Sequence, residues 1–290
     1  MKTLTIPAYA KINLFLEIRE KREDGYHAIE SVMQSVSLSD TLTLTLSEEK
    51  GIRLLCEDAA IPTDEKNTAV MAAMRFFERF PSRYGLDITL KKAIPHQAGL
   101  GGGSADAAAV LRGLDALLHT DLTADELIDL AAKVGSDVPF CLFGGTSIAK
   151  GRGEILSDAP ALATCTILIA KDTQGMSTPE AYRLADKRPK ETLRSLEPFC
   201  DALKEGSLSA VCGKLYNGFE SVVFPLRKSA AELKSFFLSN GADGALMSGS
   251  GTSVFALYEN EKEADKAASL LEKQGISCFK CRPIHPSKSL

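Results

Sequence analysis

Residues 94–110 read IPHQAGLGGGSADAAAV. Four glycines fall within five positions, Gly99 and Gly101 to Gly103, and an alanine-rich run follows at once. Upstream, residues 86–92 alternate apolar and polar side chains, the period of a half-buried strand. Downstream, Ala107, Val110, Leu111, Leu114, Leu117 and Leu118 recur at helical spacing, with Asp106, Arg112 and Asp115 off that stripe. A strand, a glycine loop and a helix start in that order make an anion site. Glycine lets backbone approach a ligand with no Cβ in the way. The first amides of a helix have no partner within it, and the helix dipole adds partial positive charge there. Phosphate suits such a place.

Two common phosphate motifs are excluded. A P-loop needs Lys directly after its last glycine, whereas Ser104 follows Gly103. The dinucleotide fingerprint G-x-G-x-x-G would need glycine at 104. A plain sharp turn needs fewer glycines than this stretch holds. The loop therefore reads as a phosphate cradle of a less common class.

The rest of the chain sets the frame for that loop. At 290 residues it exceeds the size at which one core stops growing, so two domains are expected. Its 44% apolar and 25% charged residues are ordinary globular values. A net charge of −4 offers no global basic field, so neither nucleic acid nor an anionic membrane is an expected partner. Seven scattered cysteines, an odd number, with Cys141 and Cys165 inside apolar runs, read as reduced thiols of a cytoplasmic protein. Cys278, Cys281 and His285 look like a fragment of a zinc site but lack a second ligand pair, and the alternation through Ile276, Cys278 and Lys280 fits a terminal strand. The longest uncharged apolar run, 159–170, falls short of the ~20 residues that span a bilayer and contains Pro160. Too few residues separate Lys2 from the Ala8-Tyr9-Ala10 triplet for a signal-peptide core.

Ile12, Leu14, Leu16 and Ile18 alternate with Lys11, Asn13, Phe15 and Glu17, the pattern of a half-buried strand; by residue type alone, Lys11 and Asn13 share its solvated face. Residues 41–46 alternate again. Asn67 is placed to cap a helix carrying Val70, Met71, Met74 and Phe77. Thr123 and Glu126 form a capping box for a helix with Leu127, Leu130, Ala131 and Val134 inward, closed by Gly135. Residues 144–156 read as two short strands around Lys150-Gly151-Arg152-Gly153. An Ala/Pro-rich stretch at 157–162 suggests a boundary. Beyond it come a strand (166–170), several helices, a hairpin (245–248 and 252–258), a helix (262–273) and a last strand (276–282). Mixed in this way, they imply an α+β layer of helices on an antiparallel sheet.

Pro95 to Ala105, PHQAGLGGGSA, resembles the phosphate loop of the GHMP kinases (galactose, homoserine, mevalonate and phosphomevalonate kinases), P-x-x-x-G-L-G-[GS]-[GS]-[SA]-[SA]. Three further stretches, AYAKINLFL at 8–16, DGYH at 24–27 and GSDVP at 135–139, resemble the branch of that family acting on a cytidine-diphosphate-linked methylerythritol. GSGTSVF at 249–255 resembles the family's third, glycine-rich motif. The resemblance spans nearly the whole chain. It implies an α+β fold of two domains: a ribosomal-S5-domain-2-like ATP-binding domain at 1–157 and a ferredoxin-like domain at 158–290, with the active site in the cleft between them. It further implies transfer of the γ-phosphoryl of ATP to the 2-hydroxyl of 4-(cytidine 5'-diphospho)-2-C-methyl-D-erythritol, in the non-mevalonate isoprenoid precursor pathway, with Mg²⁺ required to neutralise phosphate charge.

The same resemblance distributes roles. Pro95, His96, Gln97, Ala98, Gly99, Leu100, Gly101, Gly102, Gly103, Ser104 and Ala105 would hold ATP, with Asn67 near the adenine; a plain N-cap explains Asn67 equally well. Ser104 would meet a phosphate oxygen or Mg²⁺. Many members carry Gly or Ala where Gln97 stands, so its side chain must point away from the phosphates. Lys11 would lie at the acceptor hydroxyl and Asn13 would hold substrate. Asp137 would be the catalytic base, against the residue-level reading of an N-cap for the next turn. Tyr26 would stack on cytosine and His27 bond its polar edge. Tyr182 would be the second aromatic slab, or first-turn packing of a helix capped by Thr178 and begun by Pro179. The link Ser248 to Thr252 is either a hairpin turn or a loop closing the site. The alternative substrates are those of a homoserine or mevalonate type kinase, against which Asp24 to His27 argue, since those acceptors have no base to stack. A non-catalytic nucleotide- or RNA-binding module on the same fold is the alternative of another class; the acidic balance speaks against RNA.

Overall fold

A computed structural model describes residues 2–171, 175–187 and 193–285. Strands β1 (Thr3–Lys21) and β2 (His27–Ser47) form a long antiparallel hairpin, paired from Thr3 opposite Thr45 to Lys21 opposite His27. Its register shifts between Tyr9 and Lys11, between Asn13 and Phe15, and between Ile18 and Lys21. Such irregularities bend and twist a strand. The consequence is that Ala10 to Ile18 are buried without a break, Lys11, Asn13 and Glu17 among them. The solvated face expected at Lys11 to Glu17 does not exist. Ile6, Ala8, Ile12 and Leu14 enter one core, while Leu16 and Ile18 enter a second one with Phe219, Met247 and Val254.

The first sheet continues with β3 (Ile52–Cys56), helix α1 (Thr68–Arg79) and β4 (Gly85–Lys91), β3 and β4 being parallel. Helices α2 (Gly102–Leu118), α3 (Ala124–Ala132) and α4 (Val138–Phe143) follow, then β5 (Thr146–Lys150) and β6 (Ile155–Asp158). The strand order is β3-β4-β2-β1, with β5 joined to β2 and β6 to β5. The C-terminal part comprises β7 (Thr166–Ala170), α5 (Thr178–Ala185), α6 (Glu197–Glu205), α7 (Leu208–Cys212), β8 (Tyr216–Asn217), α8 (Glu220–Val223), α9 (Lys228–Ser239), β9 (Gly244–Met247), β10 (Val254–Tyr258), α10 (Glu261–Lys273) and β11 (Cys278–Cys281). Its sheet has the order β11-β7-β10-β9, all antiparallel, with β9 and β10 the expected hairpin. In chain order that is 4-1-3-2, the ferredoxin-like arrangement. The short β8 returns to pair in parallel with Phe15 and Leu16 of β1, so one strand serves both halves. The expected division at 157/158 falls on the last residues of β6, and the connection 159–165 separates the two sheets.

Several helix faces differ from the sequence reading. In α1 the buried residues are Ala69, Val70, Ala72, Ala73 and Phe76, while Met71, Met74 and Phe77 are half-buried. Helix α1 packs on α2, and its buried set is mostly alanine, with Val70 and Phe76. Helix α2 is buried continuously from Ala105 to Leu111, Asp106 included, because it packs on β1 and β2 on one side and α1, α3 and α4 on the other. At Gly113 a Cβ would lie 2.3 Å from Leu44 Cδ1, so helix and sheet meet there at a distance only glycine allows. The Thr123–Glu126 capping box is present, but α3 ends on Lys133 in right-handed geometry rather than on Gly135. Cys278 and Cys281 lie in β11, where Cys281 Sγ donates to the Ile167 carbonyl. Among the described residues no helix is long and apolar enough to cross a membrane.

Candidate active site

The glycine stretch passes between β1 and the link that joins β9 to β10. Gly99 and Gly101 have left-handed φ values of 73° and 69°. A Cβ on Gly99 would lie 2.1 Å from the Ser248 carbonyl oxygen, and one on Gly101 2.9 Å from Lys11 Cγ. Both glycines are therefore required twice over, by backbone conformation and by space. Gly101 leads directly into α2 with no side-chain cap, so the first amides of that helix remain open to a ligand. Thr68 Oγ1 donates to the Gly103 carbonyl at 2.7 Å and ties the start of α1 to the start of α2.

The link 248–253 is a turn between paired strands and also the second wall of the loop. Ser248 Oγ donates to the Gly99 carbonyl at 2.9 Å and the Ser253 amide to the Ala98 carbonyl at 3.3 Å. Asn217 Nδ2 holds the same link through the carbonyls of Met247 (2.6 Å) and Gly249 (2.8 Å). Ser250 Oγ meets Thr178 Oγ1 at 3.0 Å. Helix α5 is capped by Ser177, not Thr178, which leaves the Thr178 hydroxyl for this contact. Lys171 donates to the His96 carbonyl and adds a further tie between the halves.

Across the loop, Lys11 Nζ donates to Asn13 Oδ1 at 2.8 Å and to the Gly99 carbonyl at 3.2 Å, and lies 3.3 Å from Asp137 Oδ2. Asn13 Nδ2 in turn donates to Ser31 Oγ (2.9 Å), which donates to the Phe15 carbonyl (2.7 Å). The chain of bonds fixes the ammonium on a buried strand. Asp137 stands at the N-cap position of α4 but has helical dihedrals and makes no capping bond, so the N-cap reading of its carboxylate fails. Gly153, at φ 115°, passes beside it: a Cβ there would be 3.5 Å from Asp137 Oδ1. Asp137 also helps burial, the larger influence, push the Cys141 thiol well above its usual range. The arrangement places a carboxylate, a lysine and a phosphate-sized cradle around one space.

That space is a cleft of about 750 Å³, within the range of small-molecule sites. Lys11, Asn13, Tyr26, His27, Asp137, Tyr182 and every residue from Pro95 to Ser104 line it. Ala105 and Asn67 do not. Ala105 faces the core. Asn67 is an N-cap: its Oδ1 accepts from the Ala69 amide and its Nδ2 donates to the Pro62 carbonyl. Its neighbour Thr68 lines the cleft instead. Gln97, with φ 49°, packs against Gly175, where a Cβ would sit 3.3 Å from its Oε1.

The aromatic end is arranged differently from the expected pair of slabs. His27 stacks on Tyr182 with centroids 4.9 Å apart and planes at 15°, and its Nε2 bonds Asp186 Oδ1 at 2.7 Å. Tyr182 is edge-on to Phe219 at its other side. Burial, with the Asp137 charge adding to it, pushes the Tyr182 phenol well above its usual range. Tyr26 stands apart, 56% exposed, with the Arg152 guanidinium 5.1 Å from its ring centroid.

Sequence reasoning missed a charged cluster beneath the loop. Lys92 Nζ bonds Asp40 Oδ2 and, at 2.8 Å, Asp106 Oδ2. Asp40 Oδ1 accepts the amides of Ala93 (2.6 Å) and Ile94 (2.8 Å), so the cluster clamps the chain just before the glycines. Burial pushes the Asp106 carboxyl up to about 7; Lys92 draws it down and Asp40 pushes it up again. The only signal in the sequence was a carboxylate in the first turns of an alanine-rich helix.

A glycine cradle at a helix N-terminus, facing a lysine–carboxylate pair across a cleft closed by a ferredoxin-like half, defines a phosphoryl-transfer site built on positioned charge. The chain belongs to the GHMP kinases: the GHMP kinases N terminal domain matches residues 67–145 and the GHMP kinases C terminal matches residues 193–277. It is 44% identical over 264 residues to the 4-diphosphocytidyl-2-C-methyl-D-erythritol kinase of Exiguobacterium sibiricum, covering 91% of this chain and 92% of that one. The enzyme of the same name from Brevibacillus brevis is 42% identical over 273 residues, with 92% of each chain covered. A crystal structure of 4-(cytidine 5'-diphospho)-2C-methyl-D-erythritol kinase superposes with a TM-score of 0.80 at 32% identity, over 97% of this chain and 99% of that one. L. major mevalonate kinase shares the fold, with a TM-score of 0.77 at 16% identity over 99% and 97% of the two chains.

Proposed function

We propose that this chain transfers the γ-phosphoryl group of ATP to the 2-hydroxyl of 4-(cytidine 5'-diphospho)-2-C-methyl-D-erythritol, a step in the non-mevalonate formation of isoprenoid precursors. The observation that carries the reading is the joint placement of Lys11, Asp137 and the Gly99–Ser104 loop on one cleft that also holds Tyr26, His27 and Tyr182. The high identity to relatives of that name supports the substrate. Phosphoryl transfer asks mainly for positioning and charge stabilisation. The loop amides and the α2 dipole hold the phosphates. Lys11 faces both the Gly99 carbonyl and Asp137, so it orients the acceptor hydroxyl against the transferred group. Asp137 Oδ2 accepts the hydroxyl proton.

Mg²⁺ enters with the nucleotide. A magnesium ion held largely by phosphates and water needs only one or two protein oxygens, and Ser104, in the first turn of α2 and on the cleft wall, is suited to be one. Bound there, the ion would neutralise phosphate charge. At the other end Tyr26 offers a π-face to cytosine, the His27–Tyr182 stack forms the facing wall, and His27, held by Asp186, keeps its other ring nitrogen for the polar edge.

The test is ADP release with ATP·Mg²⁺ and four acceptors: the cytidine-linked methylerythritol, free methylerythritol phosphate, homoserine and mevalonate. Turnover confined to the first is expected. Turnover with homoserine or mevalonate alone would retain the phosphate loop and Asp137 and remove every role given to Tyr26 and His27.

A further inference from the structure

The turn between β5 and β6 carries an arginine that lines the cleft. Gly151 and Gly153, at φ 71° and 115°, set the turn, and the Ile29 amide ties it to β2 through the Gly151 carbonyl at 2.8 Å. Glu154 braces it from within, Oε2 accepting the Arg152 amide at 2.5 Å. The Arg152 guanidinium then lies over the Tyr26 ring. Its Nε is buried and pairs with the Glu154 carboxylate, Oε1 lying 3.5 Å away, but makes no hydrogen bond among the described residues. A buried, unbonded guanidinium N–H costs free energy unless a ligand completes it. The nearby charges are otherwise engaged. Asp24 accepts from Arg22 (3.1 Å) and from the Tyr26 amide (3.1 Å), and Lys21 lies 3.8 Å from Asp186, which bonds His27. Arg183 also lines the cleft, but it is exposed on α5, and among the described residues no ion pair or ring contact fixes it.

We infer that Arg152 binds the diphosphate bridge of the cytidine-linked substrate and thereby selects a nucleoside diphosphate over a nucleoside. The inference rests on the substrate reading above. One turn touches both ends of the cleft: Arg152 packs on Tyr26, the base end, and the next residue, Gly153, borders Asp137, the reacting end. In the substrate, the covalent link between base and reacting hydroxyl is the diphosphate. Guanidinium forks match phosphate oxygens, and stacking on an aromatic ring orients the fork in advance.

The test compares calorimetric binding of CDP and cytidine to the full chain, with a non-hydrolysable ATP analogue saturating the nucleotide site, in wild type, Arg152→Met and Arg152→Lys. Wild type is expected to favour CDP over cytidine. Arg152→Met should erase about tenfold to a hundredfold of that preference, the range for a charge-assisted bond, with cytidine affinity within about twofold of wild type. Arg152→Lys should retain an intermediate preference, since it keeps the charge without the fork. In steady state, Arg152→Met should raise the KM for the cytidine-linked substrate and leave that for ATP unchanged. An unaltered CDP-to-cytidine ratio would overturn the inference. So would a parallel loss of both ligands, which would make Arg152 a support for Tyr26 only. Wild type binding neither ligand would instead remove the substrate reading, and this inference with it.

Discussion

Lys11 Nζ lies 3.3 Å from Asp137 Oδ2 while also donating to the Gly99 carbonyl, so one ammonium joins the Asp137 carboxylate to the glycine loop. The two residues have different duties, and their variants should separate them. Asp137→Asn keeps the shape of the site but cannot accept the hydroxyl proton. Turnover should fall about 10²–10⁴-fold, with the Kd for ATP unchanged by calorimetry. Lys11→Met should lose turnover and also weaken ATP binding, because it releases the loop carbonyl. Full activity in Asp137→Asn would remove Asp137 as the base.

Glycine at 99 is demanded by neighbours as well as by backbone. Gly25, at φ 84° with nothing within 4 Å of its Cβ position, is demanded by backbone alone. Gly25→Ala should therefore cost about 1–2 kcal/mol of stability. Gly99→Ala should cost clearly more and raise the KM for ATP, since its Cβ meets the Ser248 carbonyl. Urea unfolding of both variants decides this; equal losses would show that the loop yields freely.

Tyr26 and Tyr182 sit in different surroundings. Tyr26 is mostly exposed, so Tyr26→Ala should leave stability nearly unchanged and raise the KM for the cytidine substrate about tenfold or more, the scale of one base–aromatic stack. Tyr182 packs between His27 and Phe219. Tyr182→Ala should thus lower the melting temperature as well as substrate affinity. A rise in the KM for ATP equal to that for the cytidine substrate in Tyr26→Ala would contradict the assignment.

Asp106 gives stability a pH dependence. Its carboxyl titrates near 7 in the folded chain, against an ordinary value of 3.8. Between those values the folded chain holds a proton that the unfolded chain has lost. Its contribution to stability therefore declines as pH rises through that window, by at most about 1.4 kcal/mol per pH unit, and is constant above it. Asp106→Asn removes this decline. Its stability relative to wild type should increase from pH 5 to pH 8 in urea titrations; a constant difference would show that Lys92 keeps Asp106 ionised throughout.

The glycine loop, the Thr123 capping box, the β9–β10 hairpin and the α+β class were legible because each depends on local chemistry: φ angles, spacing, caps. The burial of Lys11, Asn13 and Asp106 was not, because it depends on what packs against them. Alternation marks Lys11 and Asn13 as an outer face; only the bend of β1 and the arrival of the loop over it turn that face inward. Asp106 read as a surface residue because nothing near it in sequence announces Asp40 and Lys92. Arg152 stood in a glycine turn whose partner, Tyr26, lies on another hairpin.

Transfer of a phosphoryl group from ATP to the 2-hydroxyl of the cytidine-linked methylerythritol leaves a product with its own phosphorus spectrum. Phosphorus NMR of the product, with ATP·Mg²⁺ and that acceptor, tests it most directly. One new phosphomonoester signal on carbon 2 beside an intact diphosphate pair is expected, growing in at least about 10²-fold more slowly with Asp137→Asn. A phosphomonoester at another carbon, cleavage of the diphosphate, or ADP formation without acceptor phosphorylation would contradict it.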